Sequence, residues 1–360
     1  MEQFFCKTKI ISGPGALEAL GEMGIRKALV VTDPYFMECG TAQRIAKLSR
    51  ADRTEIFHEI TPDPSVELVA AGTAKFRELS PDTVIALGGG SAMDCAKAIS
   101  YFGGKNSRLI MIPTTSGSGS EVTDFAVLTH NGVKHPLIDR RLQPEAAILD
   151  SDLLEKLPPK LIADSGFDVL AHALEAYVAT DSGAISDALA ADSFCAAFAS
   201  LPASFGGNTT VRLKIHLAAT MAGMAFSSAG LGLCHALSHT LGGMFHLPHG
   251  RLNAIVLPAV VELNAHCAGE KYAKLARLAG FGGSADTMAV RNLRNALVRL
   301  RRELGLPATL QQAGIDPRLV QRSAARIVEA TLRDPCCKSN PMPVEDYMVR
   351  SLLEAVTGRG

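Results

Sequence analysis

The chain changes character near Asp150, and that change constrains its fold more than any other feature. Up to that point short β-branched runs alternate with helical stretches. Lys27–Thr32 (K-A-L-V-V-T), Thr83–Leu87 (T-V-I-A-L), Leu109–Ile112 and Ala146–Leu149 (A-A-I-L) read as buried strands bounded by Gly, Pro or Asp. Helical stretches separate them near Thr41–Ser49, Ser65–Leu79 and Ala92–Tyr101. This rhythm predicts a mostly parallel sheet with helices on both faces. The segment D-S-D-L-L-E-K-L-P-P-K reads as a capped turn stopped by Pro158 and Pro159. Beyond it the chain is Ala/Leu-rich with helical periodicity, as in Ser186–Ser200 and Val211–Phe226, and carries almost no strand signal. The expectation is an α/β domain over residues 1–155 and an all-α domain over 156–360.

Bulk properties narrow the class. With 360 residues the chain can bury two sizeable cores. Lys+Arg and Asp+Glu balance at 36 each, so no global field favours nucleic acid or an anionic membrane surface. The hydrophobic share is 47%, yet no uninterrupted apolar run reaches the ~20 residues of a bilayer span. M-E-Q-F-F-C-K-T-K lacks the pattern of a signal peptide, and residues 1–12 read as an edge strand. The cysteines form no C-x-x-C pair, and adjacent Cys336 and Cys337 make a poor disulfide. A reducing cytoplasm is the simplest compartment.

Two segments in the first half suit a phosphate. Gly88, Gly89, Gly90 and Ser91 follow a strand and open a helix that carries Asp94 and Lys97. Glycines there let a backbone approach an anion at a helix start. The second segment, Pro113 to Thr123, again follows a strand and is rich in hydroxyls, including Thr114, Thr115, Ser118 and Thr123. Neither matches G-x-G-x-x-G or the P-loop pattern, and each taken singly is also a plain turn. Asp33 ends the strand K-A-L-V-V-T-D. It suits an adenosine ribose and repels a 2′-phosphate, which predicts NADH over NADPH; capping a turn before Pro34 is the competing reading. Gly13 and Gly15 read as a structural turn.

The second half concentrates metal donors. Asp168 and His172 stand four apart in G-F-D-V-L-A-H-A-L-E-A-Y, so both project from one helix face. His235 and His239 repeat the spacing in H-A-L-S-H-T-L-G-G-M-F-H-L-P-H-G, and His249 closes that run. A carboxylate with imidazoles suits Fe(II), Zn or a related divalent ion. Spacing alone leaves open which histidines bind. His58, His130, His135, His216 and His266 lie outside these windows and read as ordinary histidines.

The motifs G-G-G-S-A-M-D-C-A-K, I-P-T-T-S-G-S-G-S-E-V-T, G-F-D-V-L-A-H-A-L-E-A-Y and C-H-A-L-S-H-T-L-G-G-M-F-H-L-P-H-G-R-L-N-A together resemble the iron-dependent (group III) alcohol dehydrogenase family, from about the first strand to the C-terminus. The resemblance implies a Rossmann-like domain followed by an all-α domain, the dehydroquinate synthase-like fold, with the active site between the two. It implies metal binding by Asp168, His172, His235 and His249, and makes His239 a proton relay beside the nicotinamide. Asp33, Gly88 to Ser91, Asp94, Thr114, Thr115, Ser118, Thr123 and Lys134 then match NAD(H) positions. His246 receives no ligand role. The implied reaction interconverts a short-chain primary alcohol (ethanol, 1-propanol or 1,2-propanediol) and its aldehyde. Iron is the family's metal, and zinc accepts the same donors. Relatives form dimers or larger homo-oligomers, and some work inside bacterial microcompartments.

Departures from the family pattern refine the substrate. Asp63 replaces a frequent Asn, and Met342 replaces the Arg of N-P-R. Phe125 and Phe226 point to an apolar pocket that favours ethanol or propanol over vicinal diols, since an unpaired hydroxyl costs roughly 1–3 kcal/mol. Three readings compete with this one. A glycerol-type dehydrogenase is the near neighbour. A dehydroquinate synthase-like lyase needs a basic cluster that the ligand motifs lack. A non-catalytic cofactor-binding assembly protein has no physical use for intact ligand and phosphate motifs.

Overall fold

The structure, a computed structural model, describes residues 3–104, 107–130 and 133–358. The chain divides into two compact units, one of Phe5–Leu157 and one that begins at Pro158.

The first unit is built on strands β1 (Lys9–Ser12), β2 (Lys27–Thr32), β3 (Arg53–Phe57), β4 (Thr83–Gly88), β5 (Arg108–Pro113), β6 (Phe125–His130), β7 (Val133–Ile138) and β8 (Ala146–Leu149). Six of them form one sheet in the order β1-β8-β5-β4-β2-β3, and every pairing in it is parallel. Helices α1 (Pro34–Glu38), α2 (Thr41–Leu48), α3 (Val66–Leu79) and α4 (Gly90–Gly103) supply the crossovers. Apolar residues run continuously through the central strands because both faces are covered. On one face Leu29, Val31, Val84, Ala86, Leu109 and Met111 meet Phe76 of α3 and Ile99 of α4. On the other Ala28, Val30, Ile85, Leu87, Ile110 and Ile112 meet Ile45 of α2 with Leu17 and Leu20.

Three details depart from the sequence-based expectation. The expected edge strand over residues 1–12 is realised only as β1, which is an edge of the sheet; residues 1 and 2 lie outside the described residues. β3 was not expected, because R-T-E-I-F at the opposite edge interleaves charged and apolar residues. β6 and β7 pair antiparallel as a separate two-stranded ribbon, where Pro136 and Lys134 hide the strand pattern.

The strand order reverses between β2 and β4. The chain leaves β2 for β3 on one side and returns to β4 on the other. Open parallel sheets bind ligands beyond the carboxyl ends of their strands at such a reversal. Asp33 follows β2, and the Gly88–Ser91 turn closes β4, so both stand at that point.

The second unit contains α5 (Pro159–Val178), α6 (Ala184–Phe205), α7 (Arg212–Ala229), α8 (Leu233–Phe245), α9 (His249–Leu278), α10 (Asp286–Glu303), α11 (Pro317–Arg333) and α12 (Asp346–Thr357). Pro158 and Pro159, expected to stop a turn, also start α5, because a proline at the first helical position loses no hydrogen bond. α5 packs against α6, α7, α8 and α9. By length and composition alone α6 and α9 would pass for membrane spans; here α6 packs on α5 and α7, and α9 on α5 and α10.

Candidate active site

The donor set is assembled on three helices of the second unit. Every residue of α5 from Gly166 to Val178 is buried, yet this stretch carries Asp168, His172 and Glu175 on one stripe at helical spacing. Burying such groups is costly unless they are paired or bind an ion. α8 presents His235 and His239 one turn apart, and His249 is the first residue of α9. His246 caps the end of α8 in the left-handed conformation, with φ 55°.

Asp168, His235 and His249 converge, with one ligand atom from each lying within 4.8 Å of the others. His235 Nε2 is 3.9 Å and His249 Nε2 3.5 Å from Asp168 Oδ1. His172 does not share that three-atom convergence. Its ring stacks on His235, centroids 4.5 Å apart, with Phe226 of α7 on it at 4.4 Å. Asn253, one turn into α9 from His249, donates to Asp168 Oδ1 at 2.8 Å and lies 3.3 Å from Nε2 of both His235 and His249.

What fixes His235 is a residue that the sequence reading passed over. Glu175 Oε2 takes the Nδ1–H of His235 at 2.6 Å, and the same carboxylate accepts the backbone N–H of Gly232 (3.0 Å), Cys234 (2.6 Å) and His235 (3.3 Å). α8 has no cap from its own side chains; Glu175 caps it from α5, with negative charge at the positive helix end. Burial raises the Glu175 pKa to about 7 against the pull of those backbone N–H groups. Burial, with the neighbouring rings of His172 and His239, holds His235 well below the usual imidazole range. A neutral ring that donates from Nδ1 carries its lone pair on Nε2, which faces Asp168 and His249. Three acceptor atoms of this kind brought together fit a divalent cation, borderline in softness, of the iron or zinc type.

His239 adjoins the cluster. Its ring lies parallel to that of His249, centroids 5.0 Å apart and planes 14° from parallel, and its Nδ1 is 2.9 Å from Asp334 Oδ2. Neither Glu175 nor Asp334 stands out in the sequence, although Glu175 completes the stripe of Asp168 and His172.

In the first unit the two phosphate-suited segments meet. A Cβ on Gly89 would lie 3.2 Å from Thr115 Oγ1, and one on Gly90 3.1 Å from Ser118 Cβ. Thr114 N–H donates to Gly88 O at 3.0 Å. Gly88 has φ +149°, and a Cβ there would meet Ala92 at 2.7 Å, so the turn requires glycine. α4 then starts without a side-chain cap, as an anion site does. Asp33 caps α1 by accepting from Phe36 N–H at 3.2 Å, which satisfies the competing reading, while its Oδ2 lies 3.8 Å from the Gly88 Cβ position.

Asp94 and Thr123 are braces here. Asp94 accepts from Ser120 Oγ (2.7 Å) and Val127 N (3.0 Å). Lys97 Nζ donates to Thr123 O, Thr123 Oγ1 and Phe125 O at 2.9, 2.9 and 2.8 Å, and burial lowers its pKa to about 8. Lys134 pairs with Asp63 at 2.7 Å. Phe226 packs on His172 of the metal-donor cluster in the second unit, and Phe125 lies beside Lys97 in the first.

Both parts of the chain match one known family. Residues 7–151 match the family described as iron-containing alcohol dehydrogenase, and residues 162–357 match its C-terminal part. The chain is 39% identical over 373 residues to the 1-propanol dehydrogenase PduQ of Salmonella typhimurium, covering 98% of this chain and 99% of that one. Its fold superposes with a TM-score of 0.92 on the iron-containing alcohol dehydrogenase of Thermococcus thioreducens, at 32% identity over 99% and 100% of the two chains. It superposes with a TM-score of 0.90 on a sulfoacetaldehyde reductase of Bifidobacterium kashiwanohense in complex with NAD+, at 27% identity over 100% of both. The chain belongs to the iron-containing alcohol dehydrogenase family. It is an alcohol oxidoreductase that interconverts alcohols and aldehydes, with NAD(H) and iron as its cofactors.

Proposed function

We propose that this enzyme acts on short-chain primary alcohols and their aldehydes, with 1-propanol and propanal as the type substrates. Asp168, His172, His235 and His249 hold the metal, and His239 relays the proton. The convergence of Asp168, His235 and His249 within 4.8 Å, with Glu175 locking the His235 ring, carries the reading. A divalent ion there supplies Lewis acidity toward the substrate oxygen. Asp168 contributes the charge that retains it, and Glu175 keeps the His235 lone pair directed inward. His239, stacked on His249, is the imidazole placed to take or give a proton. Phe226 supports an apolar substrate, because its buried ring packs on His172 and offers no partner to a second hydroxyl.

The Gly88–Ser91 turn, Thr114, Thr115 and Ser118 cradle the dinucleotide phosphates, Asp33 its adenosine ribose, and Lys134 its nicotinamide side; Asp94 and Thr123 shape that cradle. The family resemblance supports a homo-oligomer in the cytoplasm, with association to a bacterial microcompartment as the finer reading. The test is NADH oxidation with propanal or lactaldehyde, using anaerobically prepared protein with and without Fe(II). Turnover should require metal, and kcat/KM should favour propanal at least about 10-fold, the weight of one unpaired hydroxyl. Equal constants for the two aldehydes would remove the apolar-pocket reading, and metal-independent turnover would remove the metal site.

A further inference from the structure

We propose that Asp334 is the positioning residue for His239, setting the tautomer and ring plane in which that histidine handles the proton. The inference rests on the reading of His239 as the relay. Asp334 lies 95 residues away in sequence, yet its Oδ2 is 2.9 Å from His239 Nδ1. It is itself firmly held. Its backbone N–H donates to Thr331 O at the end of α11 (3.0 Å), and its Oδ1 accepts the Cys336 N–H (2.9 Å), capping the turn Pro335–Ser339. Its side chain is only 14% exposed. Burial alone would raise its pKa, but the contacts with His239 and Cys336 outweigh it and the net shift is downward.

A carboxylate in that state only accepts, so the His239 nitrogen facing it must donate. The proton then sits on Nδ1, and Nε2 carries the lone pair, the form needed to receive a proton when an alcohol is oxidised. The ring cannot swing freely, since one face is stacked on His249. Asp334 thus does for the relay what Glu175 does for His235. In each case a carboxylate from a distant helix end or helix face, buried for Glu175 and half-buried for Asp334, dictates which nitrogen looks inward.

Asp334→Asn separates this role from folding. Asparagine caps as well as aspartate does, so its oxygen keeps the Cys336 N–H while its amide N–H turns toward His239 Nδ1. That geometry enforces the opposite tautomer, with the proton on Nε2. In zinc-loaded, diamagnetic holoenzyme labelled with 15N-histidine, the His239 signals, assigned by their loss in His239→Ala, should switch from Nδ1–H to Nε2–H. In the iron enzyme kcat should fall about 100-fold, the scale of a misplaced general acid–base group, with aldehyde KM and metal content nearly unchanged. In the His239→Ala background the same substitution should change kcat by less than about twofold, because the two act as one unit. Asp334→Ser, which keeps the cap and withdraws the carboxylate, should reproduce the kcat loss if the Asn variant folds poorly.

Equal losses in both backgrounds, or an unchanged His239 tautomer, would overturn the proposal. So would a second equivalent of metal in the wild type that Asp334→Asn abolishes, since His239, Asp334 and Cys336 would then be ligands. If His239→Ala leaves turnover intact, the relay reading fails on its own, and the imidazole spectrum still decides whether Asp334 sets the tautomer.

Discussion

Replacing Glu175 with alanine should cost about 3–5 kcal/mol of stability and strip the protein of metal at the same time. The stability loss follows from what the carboxylate satisfies. It takes the N–H groups of Gly232, Cys234 and His235 and the Nδ1–H of His235, in a position where its side chain is 1% exposed. No water replaces it without rearrangement, and each abandoned buried donor costs roughly 1–3 kcal/mol, though not additively. Four buried N–H donors lose their acceptor together, which brings the total to about 3–5 kcal/mol. The metal loss follows from the ring. Without Glu175 neither the plane nor the tautomer of His235 is held, and loss of such a partner lowers metal affinity about 10–100-fold. Glu175→Gln should fall between, because one amide oxygen still accepts while its N–H₂ faces donors. Urea unfolding of the metal-free proteins isolates the first effect, and a competitive chelator titration measures the second. A Glu175→Ala protein with the wild-type midpoint and wild-type metal affinity would remove Glu175 from the account.

Gly250→Ala should also be damaging, although alanine in a helix normally gains about 1 kcal/mol over glycine. A Cβ at 250 would lie 1.9 Å from the carbonyl oxygen of Asp164, 2.7 Å from its carbon and 3.2 Å from Asp168 Cβ. The first two are backbone atoms within α5, so no side chain can rotate away. α9 must withdraw from α5 along the line where His249 and Asn253 face Asp168. Overpacking of this kind costs about 1–3 kcal/mol, and it also strains the two-pronged Arg251–Asp164 pair, at 3.1 and 2.8 Å. The expected outcome is a lower melting temperature together with reduced metal content. A variant that melts higher than wild type would show that the two helices do not approach as closely as described.

Glycine 250 also illustrates what was legible in advance. The P-H-G motif drew attention to its histidine, while the role of the glycine, contact with a carbonyl on another helix, has no signature along the chain. The same division runs through the molecule. Strands β2, β4, β5 and β8 announce themselves because burial on both faces demands unbroken apolar runs. β3 and the β6–β7 ribbon escape because edges and exposed ribbons tolerate Arg53, Glu55, Lys134 and Pro136. Asp168 and His172 are conspicuous as polar residues one turn apart in an apolar stretch. Glu175 shares their stripe but reads as an ordinary helical glutamate until α8 is seen to start against it. Asp334 looks like a cap before Pro335, which it is, and its second oxygen reaches His239 only through tertiary packing. Asp33 likewise looks like a cap before Pro34, and it caps α1.

On the proposed function, Asp168, His172, His235 and His249 enclose one catalytic iron. Anomalous diffraction measured on either side of the iron absorption edge, from crystals grown anaerobically with Fe(II), tests it most directly. The expected result is a single peak per chain bounded by those four side chains, with Glu175 still bonded to His235. A fully iron-loaded protein with its peak elsewhere, or with no peak among those residues, would contradict it.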